Sequence, residues 1–142
     1  MSLRSVARGE NAPVKKIGIL VVALGLAGCN GGTVDRHALT NDASTIDSIN
    51  CEAWLLSGAV ARNRVTTYYA REQAEELALQ ASNFADALAH RPTATGLEQR
   101  VRAKSKDASA LASRLWQLHD RPTDRGGART LAESFKKAGN CS

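Results

Sequence analysis

The sequence predicts an all-α protein, and three features of the chain lead to this fold class. Apolar or small residues recur every three or four positions over long stretches, which is the spacing of one buried helix face. Prolines at positions 92 and 122 separate these stretches, where each would end a helix. No stretch alternates apolar and polar residues as a half-buried strand does. We expect one long N-terminal helix and a second arm of two shorter helices packed antiparallel to it.

A short apolar run, residues 17–27, lies near the start of the chain behind Lys15 and Lys16. It is too short to span a membrane, because a spanning helix needs about 20 apolar residues. A positive start followed by such a run is typical of a secretory signal peptide, which we place at residues 1–28. A buried N-terminal helix is the alternative. The segment before the lysines is long for a signal, so we also consider that translation starts at Val14.

The residues that end this run, Leu26-Ala27-Gly28-Cys29, resemble the lipobox of bacterial lipoproteins. In that family an aliphatic residue and two small residues precede a cysteine, and all four positions match here. The resemblance implies that the Cys29 thiol receives a diacylglyceryl group and that the chain is cut just before it. It also implies a membrane-anchored protein outside the cytoplasm. It covers about the first fifth of the chain and implies nothing about the following domain.

The basic composition does not predict a nucleic-acid partner. The whole chain has 19 basic and 14 acidic residues. Part of this excess belongs to the predicted signal peptide, which contains Arg4, Arg8, Lys15, Lys16 and Glu10. The rest of the chain has 15 basic and 13 acidic residues and is therefore nearly balanced.

Two cysteines remain after lipidation of Cys29. Cys51 and Cys141 form an even pair in a chain that we expect to be exported, and exported proteins meet oxidising surroundings. We therefore predict a disulfide between them. A metal site is not expected, since no histidine lies near either cysteine in the sequence.

The long helix is predicted to follow a flexible tether. Residues 29–41 are polar, contain glycine and lack any period, so we assign them to the tether and residues 42–142 to the helical domain. Asp42 or Ser44 would cap the helix, which would run to His90 as one helix or as two nearly collinear ones. Its buried face is predicted to contain Ile46, Ile49, Ala53, Leu56, Val60, Ala70, Ala74, Leu77, Ala81, Phe84 and Leu88.

Two breaks define the second arm. Pro92 ends the first helix, and a capping box formed by Thr95 and Glu98 begins the second. Pro122 ends the second helix, and Thr123 or Asp124 caps the third. The predicted buried face of the second helix contains Leu97, Val101, Ala108, Leu111, Leu115 and Leu118. That of the third contains Ala128, Leu131, Phe135 and Ala138, with Gly139 closing the helix.

The disulfide restricts the path of the third helix. If this helix reversed beside a straight first helix, Cys141 would lie tens of ångströms from Cys51, whereas disulfide Cα atoms lie within about 7 Å. We therefore expect the third helix to continue in the direction of the second. The exception would be a first helix that folds back sharply near Asn63 to Thr67, where polar and β-branched residues weaken the helical pattern.

No catalytic motif stands out. His90 and His119 each end a predicted helix, where a donor side chain suits the free carbonyls. Glu72, Glu75 and Glu76 have no Glu-x-x-His partner motif elsewhere, so we assign them to a solvated face rather than to a metal site. We predict no enzyme activity, no cofactor and no metal.

A partner surface is suggested by two groups of residues. Residues 51–61 are apolar on nearly every side, so either the third helix, through Phe135, or a partner should cover Trp54 and Leu55. Arg100 and Lys104 align on the second helix and could bind anionic lipid or wall polymer; a solvated surface is the alternative.

These features predict a lipid-anchored protein of the cell envelope with a non-catalytic binding or structural role. Its partners would be the membrane, through diacylglycerol on Cys29, and an envelope protein or an anionic wall polymer. One alternative is a small ligand-binding or enzymatic lipoprotein with a cavity between helices, for which Asn63, Thr67 and Lys104 supply polar groups. Another is an immunity or exclusion lipoprotein that blocks an incoming enzyme.

Overall fold

A computed structural model describes residues 32–142, and this part of the chain is all-α, as predicted. It contains the helices α1 (Arg36–Ala61), α2 (Thr67–His90), α3 (Glu98–Asp120) and α4 (Arg125–Gly139). None of these four helices is long and apolar enough to cross a membrane. The predicted signal peptide, residues 1–28, and the predicted lipidation site at Cys29 lie outside the described residues.

The helical domain begins earlier than the sequence predicted. Asp35 caps α1, and its Oδ1 accepts a hydrogen bond of 2.8 Å from the backbone N–H of Ala38. Residues 36–41, which we had assigned to the tether, are therefore helical. Val34, just before the cap, is completely buried, and Leu39 is buried in the first turns. Burial of these two apolar side chains holds this segment in the domain.

The predicted long first helix is wrong, because the chain stops being helical after Ala61. Asn63 has a φ of 54°, in the left-handed region. Its N–H donates to the Val60 carbonyl at 2.9 Å, and the Arg64 N–H donates to the Ala59 carbonyl at 2.9 Å. These are the two bonds of a Schellman motif, in which one left-handed residue satisfies the free carbonyls at a helix end.

A second local signal restarts the helix after this turn. Thr66 adopts an extended backbone conformation, and its hydroxyl accepts a hydrogen bond of 3.2 Å from the N–H of Tyr69. The connection between α1 and α2 is therefore very short, because the helix-ending turn at Asn63 is followed almost directly by the helix cap at Thr66. The chain therefore folds back sharply between Asn63 and Thr67, which is the exception that the sequence had left open for the path of the last helix.

Contacts at the opposite end show that α2 runs back along α1. The Val34 N–H donates to the Pro92 carbonyl at 2.7 Å, and the Ala94 N–H donates to the Val34 carbonyl at 3.0 Å. The Arg91 guanidinium pairs with Asp42 at 3.1 Å. The chain before α1 is therefore bonded to the chain after α2, so the two helices are antiparallel.

The remaining helices complete an up-down-up-down four-helix bundle. The Ser105 hydroxyl donates to the Ala85 carbonyl at 3.0 Å, which places the start of α3 beside the end of α2. The end of α4 lies beside the middle of α1, where Cys141 is bonded to Cys51. The closest helix pairs are α2 with α3 and α1 with α4. The last helix therefore reverses instead of continuing in the direction of α3.

The predicted buried faces agree with the core in most positions. Phe84, Leu97 and Leu131 are only half-buried, and Ala138 is exposed. The core residues that were predicted are Ile46, Ile49, Ala53, Leu56, Val60, Ala70, Ala74, Leu77, Ala81, Leu88, Val101, Ala108, Leu111, Leu115, Leu118, Ala128 and Phe135. The many alanines leave room for close approach of helices, while the leucines and Phe135 fill the centre.

Helix caps follow the predictions only in part. Asp124 caps α4 and accepts a hydrogen bond of 2.9 Å from the Gly127 N–H. The predicted capping box is wrong, because Glu98 is the first residue of α3 and its carboxylate instead accepts from the Gly96 N–H at 2.9 Å. At the end of α4, Asn140 rather than Gly139 takes the left-handed conformation, with a φ of 51°.

Gly139 has a packing role, and we expect Gly139→Ala to lower the free energy of unfolding by about 1–3 kcal/mol. A β-carbon at this position would lie 2.8 Å from Asn50 Cβ, 2.9 Å from the Asp47 carbonyl oxygen and 2.9 Å from Cys141 Sγ. The Asp47 carbonyl oxygen is part of the α1 backbone, and Asn50 Cβ is bonded directly to that backbone. Neither atom can move without α1, so α4 would have to shift. Urea unfolding followed by circular dichroism would measure the loss.

A matched control lies on the same helix. A β-carbon on Gly126 would have only Asp124 Oδ1 nearby, at 3.6 Å. Gly126→Ala should therefore cause no loss, since alanine favours the helix by up to about 1 kcal/mol. Equal stability of the two variants would contradict the close approach of α4 to α1.

Candidate functional site

The predicted disulfide is present and joins α1 to the end of α4. The Cys51 and Cys141 sulfurs are 2.07 Å apart, and the Cα atoms are 5.5 Å apart. The two cysteines are 90 positions apart in the sequence. The bond therefore ties together most of the helical domain and fixes the level at which α4 lies along α1.

The predicted covering of Trp54 and Leu55 by the last helix is only half right. Trp54 is half-buried against the core, and the Lys136 ammonium of α4 lies 5.3 Å from the centroid of its ring. This distance is within the range of a cation–π contact. Leu55 is 59% exposed. Phe135, the expected neighbour, is completely buried in the core. Leu55 is therefore the member of this pair that remains available to a partner.

The structure does not join these two residues with Arg100 and Lys104 into one surface. Arg100 is exposed in the first turn of α3, level with the start of α1, whereas Trp54 lies in the second half of α1. Lys104 is half-buried and pairs with Asp107 at 3.4 Å. The predicted partner surface is thus divided between separate parts of the bundle.

Lys104 belongs instead to a polar groove between α1, α3 and the end of α4. The groove has a volume of about 230 Å³. Residues of both charges line it: Asp47, Asn50, Lys104, Asp107 and Arg114, with Ile46, Ala110 and Ala138. Asn63 and Thr67, the other polar groups expected in a cavity, lie at the chain reversal and do not line this groove.

Asn50 is the unusual member of the groove because it is buried and only partly hydrogen-bonded. Its side-chain amide donates to the Ile46 carbonyl at 3.0 Å. Its Oδ1 has no hydrogen-bond partner among residues 32–142. Asn50 Cβ is also the atom that a β-carbon on Gly139 would meet most closely, so the same residue belongs to the groove and to the contact between α1 and α4.

His90 and His119 make different contacts at the ends of α2 and α3. The Nδ1 of His90 lies 2.7 Å from the Asp86 carbonyl, the helix-end contact that was predicted. His119 differs from the prediction, because its ring lies 3.0 Å from Asp120 and 3.8 Å from Glu75. Within the described part of the chain, no three histidine, cysteine, aspartate or glutamate side chains are placed to hold a metal ion.

A basic surface that was not predicted lies at the end of the bundle where α1 meets α2 and α3 meets α4. We call it the arginine end, and it consists of Arg62, Arg64, Arg71, Arg121, Arg125 and Arg129. All six residues are exposed. The Arg71 guanidinium donates to the His119 carbonyl at 3.3 Å, which brings the start of α2 to the end of α3.

Two tyrosines lie beside these arginines in the first turn of α2. Tyr68 is 74% exposed and Tyr69 is 50% exposed. Leu55 and Leu79 are the other large apolar side chains that are strongly exposed in residues 32–142.

Sequence reasoning missed the arginine end because its members come from three separate stretches of the chain. A straight first helix running to His90 would have placed Arg62 to Arg71 near the middle of that helix. Only the reversal at Asn63 makes these residues the end of a bundle, next to the connection between α3 and α4. The arginine-rich connections "RNR" and "DRPTDR" are the signal that could have revealed it.

Comparison with known proteins adds no relative. No protein-family model, no curated protein and no solved structure matches this chain.

Proposed function

We propose that this protein is a lipid-anchored lipoprotein of the cell envelope with a non-catalytic, binding role. The observation that carries the proposal is the sequence Leu26-Ala27-Gly28-Cys29 directly after a short apolar run and two lysines. This combination resembles the signal of bacterial lipoproteins in its lysines, its apolar run and its lipobox, while the segment before the lysines is longer than usual. Two features of the fold further support this proposal: the disulfide supports export, and the start of the helical domain close to Cys29 supports a short membrane stalk.

The Cys51–Cys141 bond supports export. Structural disulfides persist in oxidising compartments and are rare in the cytosol, where thiols are kept reduced. A lipobox and a domain with a disulfide both belong to a protein that acts outside the cytoplasm.

The start of the domain supports a short stalk in place of a long tether. Val34 is buried in the bundle and hydrogen-bonded to the connection after α2, only five positions after Cys29. Five residues reach at most about 17 Å when fully extended. A lipid on Cys29 would therefore hold the start of α1 near the bilayer. With 26 residues, α1 then extends for about 39 Å to the chain reversal at the arginine end.

A binding role is supported by the exposed groups of the bundle. The arginine end carries charge that is not paired within the domain, and Leu55, Tyr68 and Tyr69 expose large side chains. Exposed apolar and aromatic groups beside arginine are typical of surfaces that contact a partner.

We expect Cys29→Ser to abolish incorporation of an alkyne-tagged fatty acid in living cells, because the thiol is the group that would carry the lipid. Gel fluorescence of the purified protein would measure the label. The matched control is a Cys51→Ser/Cys141→Ser double variant, which keeps the lipobox and should be labelled like the wild type. Undiminished label on the Cys29→Ser variant would overturn the proposal. The mass of its unprocessed precursor would also show whether translation starts at Met1 or at Val14.

A further inference from the structure

We propose that the arginine end binds a carboxylate-bearing glycan of the cell wall. This inference rests on the proposed envelope location, because a wall polymer is present only there. The surface would consist of the exposed guanidinium groups of the two helix connections and of Tyr68 and Tyr69. Its ligand would be a polymer in which sugar rings alternate with carboxylates.

The first argument is the excess of charge without internal partners. None of the six arginines forms an ion pair with a carboxylate in residues 32–142. The two aspartates near Arg121 already have other contacts. Asp120 contacts the His119 ring, and Asp124 caps α4. Glu72 is exposed at the same end and Glu75 lies 3.8 Å from the His119 ring, so six arginines lie among four carboxylates there. A ligand that brings carboxylates would supply the missing partners.

The second argument concerns the kind of anion. Guanidinium groups match carboxylates and phosphates through paired hydrogen bonds. Phosphate sites also tend to use free backbone N–H groups at helix starts. At the start of α4, the Gly127 N–H is bonded to the Asp124 carboxylate, whose negative charge disfavours a phosphate there. The guanidinium groups lie on separate helices and connections, and this arrangement suits carboxylates that are spaced along a polymer.

The third argument favours a glycan over a protein partner. Arginine and aromatic residues are enriched in protein interfaces, but the fully buried centre of such an interface is largely apolar and depleted of charge as a whole. At the arginine end, Tyr68 and Tyr69 are the large apolar side chains that are strongly exposed, and charged residues surround them. A flat aromatic ring offers an apolar face and a hydroxyl, so it can contact both the C–H groups and the hydroxyls of a sugar.

The fourth argument is the position of the surface. The arginine end is at the opposite end of α1 from Val34, about 39 Å away for a helix of 26 residues. With the start of α1 held near the bilayer by Cys29, this end would point away from the membrane. An anionic wall polymer is therefore a better match than anionic lipid.

The experiment is a pelleting assay with insoluble peptidoglycan sacculi and the full chain, purified in a non-ionic detergent. The test variant is Arg64→Gln/Arg121→Gln/Arg125→Gln. We expect its dissociation constant to rise by about tenfold, since three exposed charge contacts at roughly 0.5 kcal/mol each give this factor. The matched control is Arg102→Gln/Lys106→Gln/Lys137→Gln, which removes the same charge from exposed positions in the first half of α3 and the last turn of α4. It should bind within about twofold of the wild type.

Two further probes identify the ligand chemistry. Sacculi whose carboxylates have been converted to amides should no longer retain the wild type. Tyr68→Ala should weaken binding to sacculi but not to poly-glutamate, which has carboxylates and no sugars. Thermal melting of each variant would verify that the bundle is intact.

Three results would overturn the inference. They are equal binding of the test variant and the wild type, undiminished retention by amidated sacculi, and binding to anionic vesicles without binding to sacculi. Loss of Tyr68 without effect on sacculus binding would overturn the contact with sugar. Each of these results leaves the fatty-acid labelling at Cys29 unaffected, so failure of this inference and failure of the proposed function are distinguishable.

Discussion

Replacing Phe135 with alanine is expected to lower the free energy of unfolding by about 3–5 kcal/mol. Phe135 is completely buried and is among the largest side chains at the centre of the bundle. Its removal takes away apolar contacts and leaves a cavity, because the helices around it are held by their own packing and by the disulfide. Urea unfolding of the oxidised protein, followed by circular dichroism, would measure the loss.

Leu55→Ala is the matched control for this prediction. Leu55 is a large apolar residue like Phe135, but it is 59% exposed on α1. Its truncation should change the stability by less than about 0.5 kcal/mol. A large loss for Leu55 together with a small loss for Phe135 would mean that the rotation of α1 or α4 in the bundle is different.

Replacing both bonded cysteines, Cys51→Ser with Cys141→Ser, is expected to lower the stability by about 2–5 kcal/mol. The bond closes a loop that spans 90 positions, so it strongly restricts the unfolded chain. In the folded protein it holds the last residues against α1. Without it, the end of α4 should fray first, because α4 is the shortest of the four helices.

The same unfolding measurement with and without reductant provides the control. Reductant should lower the stability of the wild type to about that of the double variant. It should leave the double variant unchanged. A wild type that is insensitive to reductant after complete unfolding would show that the bond is absent from the protein.

Local signals in the sequence were sufficient for several parts of the fold. Pro92 and Pro122 predicted helix ends because proline cannot continue a helix, and Asp124 predicted a cap because its short carboxylate reaches a free N–H. Other signals of the same kind were present but not used. Asp35 caps α1, and Asn63 tolerates the left-handed conformation that ends it.

The buried faces could be predicted, but the direction of α2 could not. A 3.6-residue period continues through the connection, so the pattern is the same for a straight helix and for a hairpin. A sign of the true arrangement lies in α1, where three consecutive residues, Leu56, Ser57 and Gly58, are all buried. One neighbouring helix cannot cover three successive positions of an α-helix, whereas a bundle can.

By itself, the sequence determined the all-α class, most of the residues that form the core and the pairing of Cys51 with Cys141. These properties depend on periodicity, on proline and on the count of cysteines, which are local or compositional. Only the tertiary structure decided that the chain reverses at Asn63, that Lys104 enters a groove and that six arginines meet at one end. The physical reason is that the spacing of apolar residues records which face of a helix is buried and not the direction in which the next helix runs. Burial of α1 on several sides, available only when four helices pack around one core, selects the hairpin.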